Sequence, residues 1–175
     1  MIKMFHVEQK IKTLFIKGFF VFFIGFGFYS CVTPRHTVEV GDYLLLHNGK
    51  EILGKEKGLT CFFFENNQRK QPIQQFLTYK YNIGSTENIT YEVILEKTKF
   101  KVFLYTNDEL MKYYDLSQFM VSNVETEVNR LGSTANFIGM SVIDEYNNDC
   151  LADGSLYQSI MLQYLKDLKF EYNNY

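Results

Sequence analysis

A run of twelve uncharged residues near the amino end constrains this chain more than any other feature. It extends from Gly18 to Tyr29 (GFFVFFIGFGFY), and it follows a basic stretch with four lysines and one acid. A basic segment followed by a short apolar stretch is typical of a secretory signal peptide. A membrane-spanning helix needs about 20 apolar residues, and this run is too short for one. The sequence therefore predicts that residues 1–30 are a signal peptide that is removed.

Cys31 follows the apolar run, directly after Phe28, Tyr29 and Ser30. This stretch resembles the lipobox of bacterial lipoprotein precursors, in which small residues precede a cysteine at the cleavage site. Phe28 and Tyr29 depart from that pattern, which has an aliphatic and a small residue in these positions. The resemblance covers residues 1–31. It implies that the Cys31 sulfur carries a diacylglyceryl group and that the amine freed by cleavage is acylated, for example with palmitate.

The resemblance implies a protein that is held at a membrane by its first mature residue. Two or three acyl chains anchor stably, whereas one chain holds only marginally. The protein would then lie in the cell envelope, periplasmic or surface-exposed, and bind membrane lipid through Cys31. Two alternatives stay open, which are a cysteine without lipid behind an ordinary signal peptide and an uncleaved anchor.

Removal of the signal peptide changes the charge of the chain. Four of 18 basic and one of 20 acidic residues lie in residues 1–30, so residues 31–175 carry 14 against 19, a net charge of −5. A nucleic-acid partner favours a basic surface, and the sequence predicts no such partner. The remaining length predicts a tether at residues 31–40, with Pro34 in it, and a single domain at residues 41–172.

Cys61 and Cys150 are the cysteines that remain once Cys31 is acylated. In an oxidising compartment this pair can form a disulfide, which would close a loop of about ninety residues and stabilise the fold by roughly 2–4 kcal/mol. Two buried free thiols fit the sequence equally well.

Alternation of apolar and polar residues predicts the centre of a sheet. Period two in Phe76–Ile83, Ile89–Glu96 and Lys99–Tyr105 predicts a three-strand antiparallel meander with one buried face. The alternation changes phase at Lys97–Lys99, which predicts a turn or bulge there.

Shorter strands are predicted on both sides of this meander. Asn48-Gly49 favours a tight hairpin between Tyr43–His47 and Lys50–Leu53, because both residues tolerate a positive φ. The apolar run Leu59–Phe64 predicts a buried strand, and Ala135–Ile143 predicts another.

Helices are predicted where Ser or Thr stands three residues before Glu or Gln, the spacing of a capping box. Thr106 with Glu109, Ser122 with Glu125, and Ser155 with Gln158 have this spacing, and Gly132 predicts the end of the second helix. The last helix has an apolar stripe that consists of Leu156, Ile160, Tyr164, Leu165 and Leu168. Together the elements predict an α+β fold with an antiparallel sheet of about six strands, two or three packed helices and a C-terminal helix.

Catalytic motifs are scarce in the sequence. Beyond the signal peptide the histidines are His36 and His47. The chain has no GxSxG, HExxH, CxxC or phosphate-loop motif. Carboxylates alone can catalyse glycoside hydrolysis, so a secreted carboxylate- or metal-dependent hydrolase stays open as the alternative function.

The segment DEYNNDCLADGS, from Asp144 to Ser155, is the best place in the sequence to look for a site. Asp144, Asn147, Asp149 and Asp153 carry oxygen ligands of the type that calcium prefers. Their spacing does not follow the EF-hand pattern, and Asp, Asn and Gly also favour turns and helix caps between a strand and a helix. Calcium binding and a purely structural role are therefore both open for this segment, and no other cofactor is predicted.

Tyrosines are frequent in the predicted sheet and first helix, and Tyr79, Tyr81, Tyr91 and Tyr113 are the candidates for a binding surface. Tyrosine is common on half-buried strands, so a role in the core explains most of them. An exposed subset would offer apolar area together with a hydroxyl to a partner. Combined with the predicted anchor, this favours an envelope lipoprotein that binds another envelope protein.

Overall fold

A five-stranded antiparallel sheet forms the centre of the part of the chain that the structure describes, residues 38–122, 128–131 and 134–175. The structure is a computed structural model. The strands are β1, Leu44–Leu46; β2, Cys61–Glu65; β3, Thr90–Leu95; β4, Thr98–Tyr105; and β5, Phe137–Asp144. They lie in the order β1-β2-β5-β4-β3.

Helices and connections cover both faces of this sheet. The helices are α1, Ile73–Tyr81; α2, Asn107–Tyr113; and α3, Gln158–Asn174, with a short 3-10 helix at Leu116–Gln118. α1 and α3 pack on one face, and α2 and Phe119 pack on the other. The predicted α+β fold with a C-terminal helix is confirmed.

β2 shows why two covered faces suit this sequence. Successive side chains of a strand point to opposite faces of the sheet. Phe62 and Phe64 therefore belong to the cluster beneath α1 and α3, while Cys61 and Phe63 belong to the cluster beneath α2. All four are buried, so the continuous apolar run that predicts a buried strand is explained by burial on both sides.

The segment Phe76–Ile83 was predicted as a strand, and this prediction is wrong. Ile73, Phe76 and Leu77 are buried at the three- and four-residue spacing of a helix, because they line the face of α1 that packs on the sheet. Pro72 precedes the helix, and Asn82 ends it in the left-handed conformation at φ 52°. The meander is built instead from β3, β4 and β5, which are neighbours in the sheet.

The tight Asn48-Gly49 hairpin is also absent from the described structure. β1 pairs with β2, with Leu46 opposite Cys61, so the two strands are joined by a long connection. Asn48 has the expected positive φ of 60°. Lys50 accepts a main-chain hydrogen bond from Leu59, and Lys50–Leu53 is not a strand. The described residues thus contain five strands where about six were predicted.

Helices follow two of the predicted capping signals, but only the first of the two forms a capping box in the described residues. The Thr106 N–H donates to Glu109 Oε2 at 3.4 Å at the start of α2. The predicted Ser155–Gln158 box is wrong, because the N-cap of α3 is Tyr157 and no side chain of the described residues caps this helix. In α3 the buried residues are Met161, Leu165, Leu168 and Tyr172. Leu156 was predicted to lie in this stripe, but it precedes the helix and is 95% exposed.

Several predictions fall outside the described residues. They are the signal peptide, Cys31 and most of the tether, and half of the helix predicted from Ser122 to Leu131, whose described residues 128–131 are not helical. The fold itself begins before residue 41, because Val40 is buried in the core. No helix in the described ranges is both long and apolar enough to cross a membrane.

The strands define two ends of the sheet. At the first, Glu65 of β2 pairs with Phe137 of β5. The chain enters the described fold here, where the Val38 N–H donates to the Gln118 carbonyl at 2.9 Å. We call this the entry end. At the opposite end, which we call the loop end, β2 begins at Cys61 and β5 finishes.

Candidate functional site

A cleft of about 770 Å³ lies at the loop end between two connections. One wall is residues 54–60, from the connection between β1 and β2, and the other wall consists of residues 147–149 with Ala152 and Asp153. Small-molecule sites in proteins are commonly concave and about 300–1,000 Å³ in volume. The cleft is therefore large enough for a small ligand or for a side chain of a partner.

The first wall is held by main-chain contacts. The Gly49 N–H donates to the Leu59 carbonyl at 3.0 Å, and the Leu59 N–H donates to the Lys50 carbonyl at 2.8 Å. A Cβ atom on Gly58 would lie 2.3 Å from the Gly49 carbonyl oxygen. Glycine is needed at position 58 because its backbone lies too close to that of Gly49 to leave room for a side chain.

The second wall is organised by Asp144. Its Oδ1 accepts hydrogen bonds from the Tyr146 and Asn148 N–H groups, both at 2.8 Å, and its Oδ2 accepts from Asn148 Nδ2 at 2.9 Å. Partial burial alone would raise the pKa of Asp144, but these hydrogen bonds and nearby Lys55 together lower it below its ordinary value. Asp144 is therefore held in its charged form as an acceptor for the turn that follows β5.

Two further contacts connect the walls with β2 and with each other. Asp149 Oδ2 accepts from the Thr60 N–H at 2.7 Å, and its Oδ1 accepts from the Leu151 N–H at 2.9 Å. Lys55 Nζ donates to Asn148 Oδ1 at 2.8 Å across the cleft. His47 also lines the cleft, and its Nδ1 lies 3.3 Å from Thr60 Oγ1.

The four residues predicted as calcium ligands lie in or directly before one turn segment, where their observed contacts are turn and capping hydrogen bonds. Asn147, Asp149 and Asp153 line the cleft, whereas Asp144 does not. Asn147 adopts a left-handed turn conformation at φ 58°. Across the described part of the chain, no three His, Cys, Asp or Glu side chains gather in a group that could hold a metal ion. Turn formation and capping explain these contacts, and calcium binding stays an untested prediction.

Tyr81 and Tyr91 belong to an internal network. Their rings stack with centroids 4.3 Å apart, and the hydroxyl of Tyr164 lies 2.8 Å from that of Tyr81 and 3.0 Å from that of Tyr91. Burial raises the pKa of Tyr91 well above its ordinary value. Because Tyr91 is 5% exposed, it does not contribute to a binding surface.

Tyr79 and Tyr113 are exposed, but they lie on different sides of the sheet. Tyr79 is on α1 and is 78% exposed. Tyr113 is on α2, where its ring contacts that of Tyr105 on the opposite face. The four predicted tyrosines therefore do not form one surface.

Cys61 and Cys150 are buried free thiols. Cys61 belongs to the cluster beneath α2, and Cys150 belongs to the cluster beneath α1 and α3. Burial raises the pKa of both thiols, that of Cys150 to about 12. Both are free thiols in clusters on opposite faces of the sheet, and the disulfide of the sequence analysis stays an untested prediction.

Three exposed apolar residues on the connections that form the cleft were not identified from the sequence. Leu53, Tyr146 and Leu156 are 102%, 78% and 95% exposed. Leu53 and Tyr146 directly precede wall residues, and Leu156 lies three residues beyond Asp153. A large apolar side chain within a polar turn segment is the sequence signal that could have indicated this exposure. Leu156 was instead assigned to the apolar stripe of the last helix.

Comparison with known proteins gives no relative. The chain matches no family model, no curated protein and no solved structure.

Proposed function

We propose that this protein is a lipid-anchored protein of a bacterial envelope that binds a protein partner through its loop end. The observation that carries the binding part is the placement of Leu53, Tyr146 and Leu156, three highly exposed apolar side chains on the loops around one cleft. Single exposed apolar residues are ordinary, but three on the two connections that form one cleft favour an interaction site at this end of the fold.

The chemistry of these residues suits a protein partner. Tyrosine is enriched at protein interfaces, where it supplies apolar area with a polar tip, and leucine adds apolar area. The cleft formed by the same two connections is lined by charged and amide groups that include Lys57, Glu56 and Asn48. Apolar side chains on the same connections as these polar groups would offer one partner both buried area and directional hydrogen bonds.

The anchoring part of the proposal rests on the resemblance of residues 1–31 to lipoprotein precursors. A lipid on Cys31 would attach the domain through Val38, which lies at the entry end. The cleft is at the other end of the sheet and would remain accessible to a partner. Anchoring would also raise the effective concentration of the domain near membrane-bound partners.

The hydrolase alternative is not favoured by the geometry. It requires carboxylates that are free to take up a proton, attack a substrate or hold a metal ion. Both oxygens of Asp149 accept main-chain hydrogen bonds, and those of Asp144 accept hydrogen bonds within the turn. These carboxylates serve the architecture of the cleft.

A photo-crosslinking amino acid at position 146, in cells of the native host, tests the proposal. The matched control is the same amino acid at position 79, because Tyr146 and Tyr79 are equally exposed at 78%. We expect a discrete protein adduct from position 146 and none from position 79. The adduct should weaken when Leu53→Ser and Leu156→Ser are added.

Two results would contradict this proposal. A protein adduct from position 79 alone would place the binding surface on α1, as the sequence-derived tyrosine surface predicts. If Leu53→Ser and Leu156→Ser leave the adduct from position 146 unchanged, the partner contacts this position without a contribution from the two leucines.

A further inference from the structure

Exposed aromatic side chains lie at the entry end, far from the cleft. Tyr79 of α1 and Phe170 of α3 are 78% and 72% exposed, and Tyr175 is 55% exposed. The rings of Tyr79 and Tyr175 are neighbours, with centroids 6.4 Å apart. Phe170 lies five residues before Tyr175 and on another side of α3, so the three residues lie around the end of this helix and not in one contiguous patch. We call these three residues together the aromatic surface.

The helices that carry the aromatic surface are firmly placed. Lys80 of α1 donates to Glu171 Oε1 of α3 at 2.6 Å. The Tyr172 hydroxyl lies 3.0 Å from both Asn66 Oδ1 and the Gln71 carbonyl, which share its one proton, in the segment that follows β2. The end of α3 therefore lies beyond the end of the sheet at which β2 finishes.

The chain enters the fold beside this surface. Lys169, the neighbour of Phe170, donates to the Asp42 carbonyl at 2.6 Å. Seven residue steps separate Cys31 from Val38, and a fully extended chain spans at most about 3.6 Å per residue, or roughly 25 Å here. A lipid on Cys31 would therefore hold the entry end within about 25 Å of the bilayer surface.

We propose that the aromatic surface contacts the membrane and sits at the headgroup level of the bilayer to which Cys31 is anchored. This inference rests on the proposed anchoring, and it adds a second point of membrane contact. Tyrosine and other amphipathic aromatic rings favour the boundary between headgroups and acyl chains. One lipidated residue fixes position but not orientation, whereas an added aromatic contact would orient the loop end away from the membrane.

The absence of tryptophan from the sequence allows a direct test. The single variants Phe170→Trp, Tyr79→Trp and Tyr146→Trp each place one fluorophore in the full chain. Each lipidated protein is purified from bacterial membranes, acylation is verified by intact mass, and the protein is reconstituted into phosphatidylcholine vesicles with brominated or unbrominated acyl chains. Bromine quenches tryptophan emission at short range.

We expect Phe170→Trp and Tyr79→Trp to lose emission in brominated vesicles and to shift to the blue, while Tyr146→Trp is unchanged. Two results in acylated protein would overturn the membrane contact and leave the anchor intact. The first is no quenching at positions 170 and 79, and the second is quenching at position 146 equal to that at positions 170 and 79. A chain without acyl groups would overturn both proposals. Because all three positions are exposed, the variants should keep the wild-type urea midpoint, which is the control for folding.

Discussion

At the entry end, Phe63 packs against Phe119 and Phe137 with ring centroids 4.8 and 4.9 Å apart, and all three side chains are buried. At the loop end, the walls of the cleft are joined by an exposed hydrogen bond between Lys55 and Asn148. Burial of aromatic area is a strong source of stability, whereas an exposed polar contact competes with water.

This difference assigns different tasks to the two ends. Elements with few buried apolar contacts open locally at low free-energy cost, and binding loops are commonly drawn from them. The entry end supplies a rigid attachment for the tether. At the loop end the Thr60–Asp149 hydrogen bond between the walls is part-buried, whereas the Lys55–Asn148 hydrogen bond is at the surface, where a partner can replace it.

The first prediction concerns the aromatic core of the entry end. Phe119→Ala removes a ring that is 3% exposed, and we expect it to lower the free energy of unfolding by about 3–5 kcal/mol. Phe170→Ala makes the same chemical change at a side chain that is 72% exposed and should cost at most about 0.5 kcal/mol. Urea unfolding followed by circular dichroism measures both. Equal effects of the two variants would refute the assignment of Phe119 to the core.

The second prediction tests the close crossing in the cleft wall. Gly58→Ala places a methyl group against the Gly49 carbonyl oxygen, and we expect a loss of roughly 1–3 kcal/mol of unfolding free energy. Gly41→Ala is the matched control at the entry end, since a Cβ there meets no atom within 4 Å. It should be neutral in the same urea titration, and a destabilisation as large as that of Gly58→Ala would contradict the argument.

The third prediction concerns Asp144 and pH. Asp144→Asn replaces an oxygen acceptor with an amide that faces Asn148 Nδ2, and we expect it to cost about 1.5 kcal/mol at pH 7. The pKa of Asp144 is lowered in the folded state, so its contribution is fully present above its ordinary pKa of 3.8 and is lost as pH falls through the lower folded value.

Stability curves between pH 7 and pH 2 should therefore converge for wild type and Asp144→Asn at the acidic end. Asp153→Asn is the control, because among the described residues Asp153 has one long hydrogen bond, from Gln158 Nε2 at 3.4 Å. A difference between wild type and Asp144→Asn that is constant with pH would show that the charge of Asp144 has no role.

The smallest predicted effect is that of the hydrogen bond across the cleft. Lys55→Met should change global stability by less than about 0.5 kcal/mol, because the contact is exposed. Amide exchange of Asn147 and Asn148 should become faster, since the turn loses one of its two links to the opposite wall and keeps the one between Asp149 and Thr60. Lys57→Met changes the other lysine of the same wall and should leave that exchange unaltered.

Much of the fold could be predicted from the sequence, because local patterns agree with the tertiary environment. Period-two alternation located β3 and β4, and the Thr106–Glu109 capping box located the start of α2. The failure at Phe76–Ile83 has a clear cause. Apolar residues in that segment satisfy a strand pattern and a helix pattern at once, and packing of Phe76 and Leu77 on the sheet decided in favour of the helix.

The candidate site was predictable in position but not in composition. The acidic segment after β5 was a reasonable place to search, and it does line the cleft. The opposite wall, residues 54–60, lies in the long connection that results when β1 pairs with β2. The Asn48-Gly49 pattern predicted a short hairpin there, so this pairing was not predicted. Exposure of Leu53, Tyr146 and Leu156 depends on what packs nearby, which local sequence does not encode.

The intact mass of the protein from the membrane fraction of its native host tests the central claim most directly. A lipid anchor on Cys31 predicts a chain that starts at Cys31 and is heavier than residues 31–175 by a diacylglyceryl group, with or without an acyl group on its amine. The Cys31→Ser variant should lose this added mass and leave the membrane fraction. Because Cys61 and Cys150 are free thiols, reduction should not change the mass. A full-length chain without added mass would contradict the lipid anchor and the orientation built on it.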